Sequence, residues 1–177
     1  MGRSRYKVYE PTHPHFITCT VLHWIPLFTR PESVNILFES FRYLQKNDNF
    51  KLFAYVILEN HLHMIAASDD ISQSIKKFKS YTAIALLELL QLNRVQTILD
   101  QLAFYKKAHK TETTYQLWQE GSAFKRIQSE AMMIERINYI HNNPLKRGYV
   151  DEAIHWRYSS ARNYEGKEGL IDVERIW

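Results

Sequence analysis

The sequence predicts an α+β sandwich, in which one antiparallel sheet carries helices packed against it. Three observations carry that expectation. Two strand-like stretches, residues 52–58 and 61–67, are separated only by Glu59-Asn60, which leaves room for an antiparallel hairpin and nothing longer. An earlier stretch at 16–28 is rich in β-branched and aromatic residues. Between and after these, apolar residues recur at helical spacing, and the order reads β-α-β-β-α followed by β-α.

Each element has its own signals. Residues 16–28 read as a first strand closed by Pro26. Pro31 followed by Glu32 is a helix start, and Val34, Leu37, Phe38, Phe41 and Leu44 form one buried face. Asn47-Asp48-Asn49 is turn chemistry. The nearly unbroken apolar run at 51–58 predicts a central strand covered on both faces. A second helix is expected from about Asp70 to Gln91, with Ile75 and Phe78 inward. Residues 92–114 are polar and basic without one clean period. Residues 115–127 suggest a further strand, with Gly121 at a bend. Ser129 is an N-cap with Glu130 in the first turn, and Pro144 is expected to end that last long helix.

At 177 residues the chain has the size of one domain spanning 1–177. A hydrophobic content of 45% with 24% charged residues is ordinary for a soluble globular protein. No apolar stretch approaches the roughly 20 residues that cross a bilayer, and the N-terminus lacks a signal-peptide core, so no membrane partner is expected. Cys19 is the only cysteine, which excludes an intrachain disulfide and fits a reducing cytoplasm. It reads as a small buried hydrophobe of the first strand. The net charge of +4 permits a polyanion partner without requiring one.

Chemistry concentrates in two places. His61 and His63 are i and i+2 on a strand, so both imidazoles leave the same face. Two neutral imidazoles side by side make half of a divalent metal site. The other half is expected on the helix opened by Ser129. There Met133, Ile137 and Ile140 form the packing stripe, while Tyr139 and Asn143 point within about 40° of each other and roughly 100° off it. Asn143 could supply a third ligand and Tyr139 could reach whatever the metal holds. Open positions for water and phosphate oxygens suit Mg²⁺ or Mn²⁺, and the chemistry would be phosphoryl transfer with tyrosine as nucleophile. Tyr81 is the rival tyrosine, and His141 reads as a boundary histidine.

Several stretches, taken together, resemble the HUH transposases with one catalytic tyrosine, closest to their REP-associated tyrosine transposase branch. They are Tyr55-Val56-Ile57-Leu58-Glu59-Asn60-His61-Leu62-His63, Phe78-Lys79-Ser80-Tyr81, Leu117-Trp118-Gln119-Glu120-Gly121, the run from Ile137 through Asn143-Pro144 to Gly148, and Trp156-Arg157-Tyr158-Ser159-Ser160. The resemblance implies a ferredoxin-like fold with the catalytic tyrosine on a C-terminal helix. It implies binding of single-stranded DNA with hairpins, and cleavage that leaves a 5′-phosphotyrosine and a free 3′-OH before religation. Tyr139 takes the nucleophile's place and His61 and His63 those of the metal ligands. Asn143 falls where members carry a polar third ligand, often glutamine. Glu59 stands where proline is common, and could contribute to the metal site.

Given that placement, Lys76, Lys77 and Lys79 are expected on a DNA-facing surface, with Lys125, Arg126 and Arg136 as further phosphate contacts. Members occur as intertwined dimers and as monomers, so a homodimer is allowed. Nucleoid association would follow from DNA binding. Two other readings stay open: a replication-initiation or relaxase-type HUH nickase, and a catalytically silent DNA-binding protein that kept the fold.

Overall fold

The computed structural model describes residues 10–175. Among them four strands form one antiparallel sheet: β1 (His15–Thr20), β2 (Lys51–Ile57), β3 (His61–Ala67) and β4 (Ala123–Arg126). Their spatial order is β2-β3-β1-β4. Helix α1 (Pro31–Asn47) carries the chain from β1 across to β2. Helices α2 (Ile71–Leu92) and α3 (Gln96–Phe104) connect β3 to β4, and α4 (Glu130–Lys146) and the short α5 (Ala161–Tyr164) follow. This βαββαβ path with the last strand beside the first is the ferredoxin-like arrangement that the resemblance implied.

The sheet has two covered faces. On one, α1 and α2 bury Ile17, Cys19, Tyr55, Ile57, Leu62 and Met64. On the other, Met133, Ile137 and Ile140 of α4 pack against Val56, Leu58, Ile65 and Ala67. Strand alternation sorts residues between them. A bulge in β2 after Leu52 sets Phe53 and Ala54 both toward α4, and the alternation then resumes with Tyr55 on the α1/α2 side.

Several boundaries differ from expectation. The first strand stops at Thr20, and Leu22–Trp24 forms a 3₁₀ turn in which His23 and Trp24 take φ of +53° and +57°. Of the run at 51–58, residues 52–58 are buried on both faces as expected and Lys51 is exposed, yet β2 lies at the sheet edge rather than in its centre. Residues 158–160 cover that edge: Ile57 N–H donates to the Tyr158 carbonyl at 2.8 Å, and Ser160 N–H to the Tyr55 carbonyl at 3.0 Å. Residues 115–127 supply only the short β4, plus an isolated bridge from Trp118 to Val21. Helix α3 emerges within the stretch that showed no clean period.

Pro144 does not end α4. It sits inside the helix, which runs on to Lys146, so Asn143 keeps a helical backbone. Proline removes only its own N–H bond to the preceding turn, a local loss in a segment whose other face is firmly packed. Ser129 caps this helix as expected, accepting the Met132 N–H at 3.2 Å. Among the described residues, no helix is long and apolar enough to cross a membrane.

Candidate functional site

The tight β2–β3 turn delivers His61 as the first residue of β3, with the Leu58 N–H donating to the His61 carbonyl at 2.9 Å. His61 and His63 then leave the α4 face together, their ring centroids 4.9 Å apart. Both are nearly closed to solvent, at 3% and 7% exposure. Burial above all, helped by the Arg147 guanidinium, pushes the His61 pKa down to about 4 despite the opposing Glu59 charge. His63 falls to about 3, through burial first, then His61 and Arg147. Both imidazoles are therefore neutral at pH 7, the state that ligates a metal.

Each ring is also held by a neighbour. The Asn60 Nδ2 donates to the Trp24 carbonyl at 3.1 Å, which fixes the amide orientation. Its Oδ1, an acceptor only, lies 2.7 Å from His61 Nδ1. The proton must then sit on Nδ1, leaving Nε2 as a lone pair. His63 Nδ1 meets the Thr18 hydroxyl at 2.9 Å, because the β1–β3 register sets Thr18 directly opposite His63. Metal-binding histidines usually donate their other ring N–H to an oxygen acceptor that fixes tautomer and orientation, and the Asn60 amide oxygen takes that place for His61. The residues present thus fit a divalent cation. Among the described residues, no group of three or more His, Cys, Asp and Glu gathers anywhere, so further ligands here would be amide, solvent or substrate oxygens.

Helix α4 brings Tyr139 to this pair. The Tyr139 ring stands edge-on to His63 with centroids 5.4 Å apart, and edge-on to Phe16 at 5.8 Å. Phe16 in turn stacks on His63 at 5.4 Å. The Lys146 ammonium lies 5.6 Å from the Tyr139 ring centroid. Asn143 follows one turn after Tyr139 and is buried. Arg147 donates to the Glu59 Oε1 at 3.0 Å, while the buried Glu59 Oε2 has no hydrogen-bond partner.

The remaining candidates separate. Lys125, Arg126 and Arg136 line one groove of about 430 Å³ beside the N-terminal half of α4. Arg136 lies 5.4 Å from the Phe16 ring centroid, one ring away from His63, and its buried Nε has no hydrogen-bond partner. Lys76, Lys77 and Lys79 ride on α2, across the sheet from α4. Lys77 pairs with Asp48 at 2.8 Å, and Lys79 donates to the Gln119 carbonyl at 2.7 Å, while Lys76 is exposed. Tyr81 is on the same helix, far from the histidines in the fold, and hydrogen-bonds Glu39. His141 is buried rather than at a boundary: its Nε2 meets Ser160 Oγ at 2.9 Å and Tyr164 packs on its ring. A helical wheel does not show the C-terminal segment that covers it.

Sequence reading missed Thr18, Asn60, Phe16 and Trp24 as supports of the histidines. Asn60 stood inside the quoted motif. Thr18 could be found only through the strand register.

No protein-family model matches the sequence, and no curated protein matches it either. Solved structures do. A REP-associated tyrosine transposase bound to a REP hairpin superposes with a TM-score of 0.61 over 98% of this chain and 94% of its own, at 18% identity. The chain shares the fold of that transposase. A second neighbour, a protein of Deinococcus radiodurans assigned provisionally as a transposase, covers 80% of this chain and 97% of its own at 16% identity, with a TM-score of 0.47. At 18% identity the likeness is one of fold, so any chemistry has to be argued from this chain's own residues.

Proposed function

We propose that this protein is a transposase: a metal-dependent endonuclease and strand transferase for hairpin-bearing single-stranded DNA, acting through Tyr139. The observation that carries this reading is the Tyr139 ring against His63, 5.4 Å between centroids, with His61 beside it on the same strand. A packing tyrosine has no need of two neutral, individually anchored imidazoles. The fold shared with a transposase that binds a REP hairpin supports the same reading.

His61, His63 and Asn143 would hold a divalent cation, Mg²⁺ or Mn²⁺, which when bound offsets charge on the scissile phosphate. Tyr139 supplies the nucleophile. Its phenolic oxygen loses its proton and bonds to phosphorus, the bond from phosphorus to the 3′ oxygen breaks, and that oxygen takes up a proton as a free 3′-OH. Attack by another 3′-OH on the 5′-phosphotyrosine reverses these changes and joins the new strand without ATP. Lys146 beside the tyrosine ring sets a positive charge next to the developing anion. The groove of Lys125, Arg126 and Arg136 suits a DNA backbone.

The test is a denaturing gel. Protein incubated with Mn²⁺ and labelled hairpins from the gene's own flanks should give an adduct that survives denaturation, requires metal and disappears in Tyr139→Phe. Binding on a native gel without any adduct would favour a silent DNA-binding protein. An adduct at one fixed nick, with no excision of paired ends, would favour a replication-type nickase.

A further inference from the structure

Two segments far apart in sequence raise a set of exposed rings beside the histidine pair. Trp24 is 52% exposed, Tyr105 38% and Phe104 81%, a high share for large aromatic side chains in a folded chain. The Trp24 indole stands edge-on to His61, centroids 5.2 Å apart, on the opposite side of the pair from Tyr139. His23, next in the chain, stacks on Tyr105 at 3.7 Å and 19°, and Tyr105 meets Phe104 edge-on at 5.0 Å. Adjacent residues thus carry two groups of rings, Trp24 against His61 and His23 against Tyr105 at the end of α3.

The scaffold fixes this exposure. His23 and Trp24 both hold positive φ, a conformation that costs a bulky side chain energy and persists only when its surroundings enforce it. Here they do: Leu22 N–H donates to the Leu117 carbonyl at 2.7 Å, Val21 N–H to the Asn60 carbonyl at 2.9 Å, and Asn60 Nδ2 to the Trp24 carbonyl. Asn60 thus holds Trp24 and His61 at once. Beyond Tyr105, Lys106, Lys107 and Lys110 follow directly, and Glu120 accepts both Lys107 at 3.3 Å and Lys110 at 3.5 Å. Three lysines against Glu112 and Glu120 leave the segment cationic.

Flat exposed rings with lysines alongside are how proteins hold unpaired bases, each ring taking a base face while the cations follow the phosphates. We propose that Trp24 and the His23–Tyr105–Phe104 group form a stacking track for unpaired nucleotides of the DNA strand leaving the site past His61. This rests on the nuclease reading and gives residues 92–114 a role within it. Stacking is indifferent to base identity, so the track holds the strand in place and sequence preference arises elsewhere.

The experiment measures affinity of the full chain for a fluorescent, unstructured pyrimidine oligonucleotide and for the same backbone with abasic sites. Trp24→Ala, and separately Phe104→Ser with Tyr105→Ser, should each weaken binding to the intact oligonucleotide about tenfold. Trp24→Phe should keep most of the affinity, and Tyr43→Ala, an exposed ring on α1, should change nothing. Wild type should bind the abasic strand more weakly than either variant binds the intact one, because the abasic strand loses stacking on every ring. If folded variants bind as wild type does, the track is overturned while the Tyr139 reading stands. If wild type binds no unstructured strand, the track is overturned, and if it also forms no adduct with the hairpin DNA, the Tyr139 reading falls with it. If Phe104→Ser instead dissociates an oligomer with DNA affinity unchanged, the rings are a contact between copies and the proposal is overturned.

Discussion

The two faces of the sheet use the same strands for different ends. Toward α1 and α2, Leu62, Met64 and Ala66 of β3 are fully buried in a large apolar core. Toward α4, the alternating residues begin with His61 and His63 before Ile65 and Ala67 resume the apolar pattern. One face is filled to exclude water and hold the fold. The other gives up apolar burial at one end of the strand to hold two desolvated imidazoles within reach of a tyrosine. Stability and the proposed chemistry should therefore be separable by a single step along β3.

The largest expected effect breaks that comparison at adjacent residues. Met64→Ala should cost about 2–5 kcal/mol of stability while folded molecules still form the covalent adduct. His63→Ala should cut adduct formation at least about a hundredfold, with a melting temperature close to wild type. Urea melts beside the denaturing gel decide it, and the idea fails if both variants lose stability and chemistry alike.

A smaller effect is expected from Thr18→Val, which removes the hydroxyl opposite His63 and keeps the strand's shape. Mn²⁺ affinity should drop about 10–100-fold by titration calorimetry. Unchanged affinity would mean the Thr18 contact does not orient the ring.

The subtlest test is acid. His61 and His141 have pKa values lowered to about 4 by burial, and His63 to about 3. The unfolded chain takes up these protons near pH 6.5 and the folded one far lower, so their contribution is complete above pH 6.5 and is lost as pH falls toward 4. All three lie on the α4 side. Hydrogen exchange at pH 5 should accelerate in α4 before α2, and equal acceleration in both helices would refute the assignment.

Much of this was legible in the residues. The hairpin, α1, the start of α2 near Asp70, the cap at Ser129, and the Met133–Ile137–Ile140 stripe follow from local spacing and turn chemistry, which act over a few residues. The end of the first strand was not, because positive φ at His23 and Trp24 is enforced by Asn60 and Leu117 from elsewhere in the chain. Pro144 misled for a similar reason: tertiary packing carried the helix through one lost hydrogen bond.

The candidate site divides the same way. That His61 and His63 share a face, and that Tyr139 leaves the packing stripe, are consequences of strand and helix periods and needed only the sequence. That Tyr139 meets His63, that Thr18 and Asn60 fix the imidazoles, and that Lys125, Arg126 and Arg136 share a groove while the α2 lysines lie across the sheet were decided by strand order and register. Those depend on contacts between residues tens of positions apart, whose closure is driven by burial of apolar surface over the whole chain and leaves no local mark.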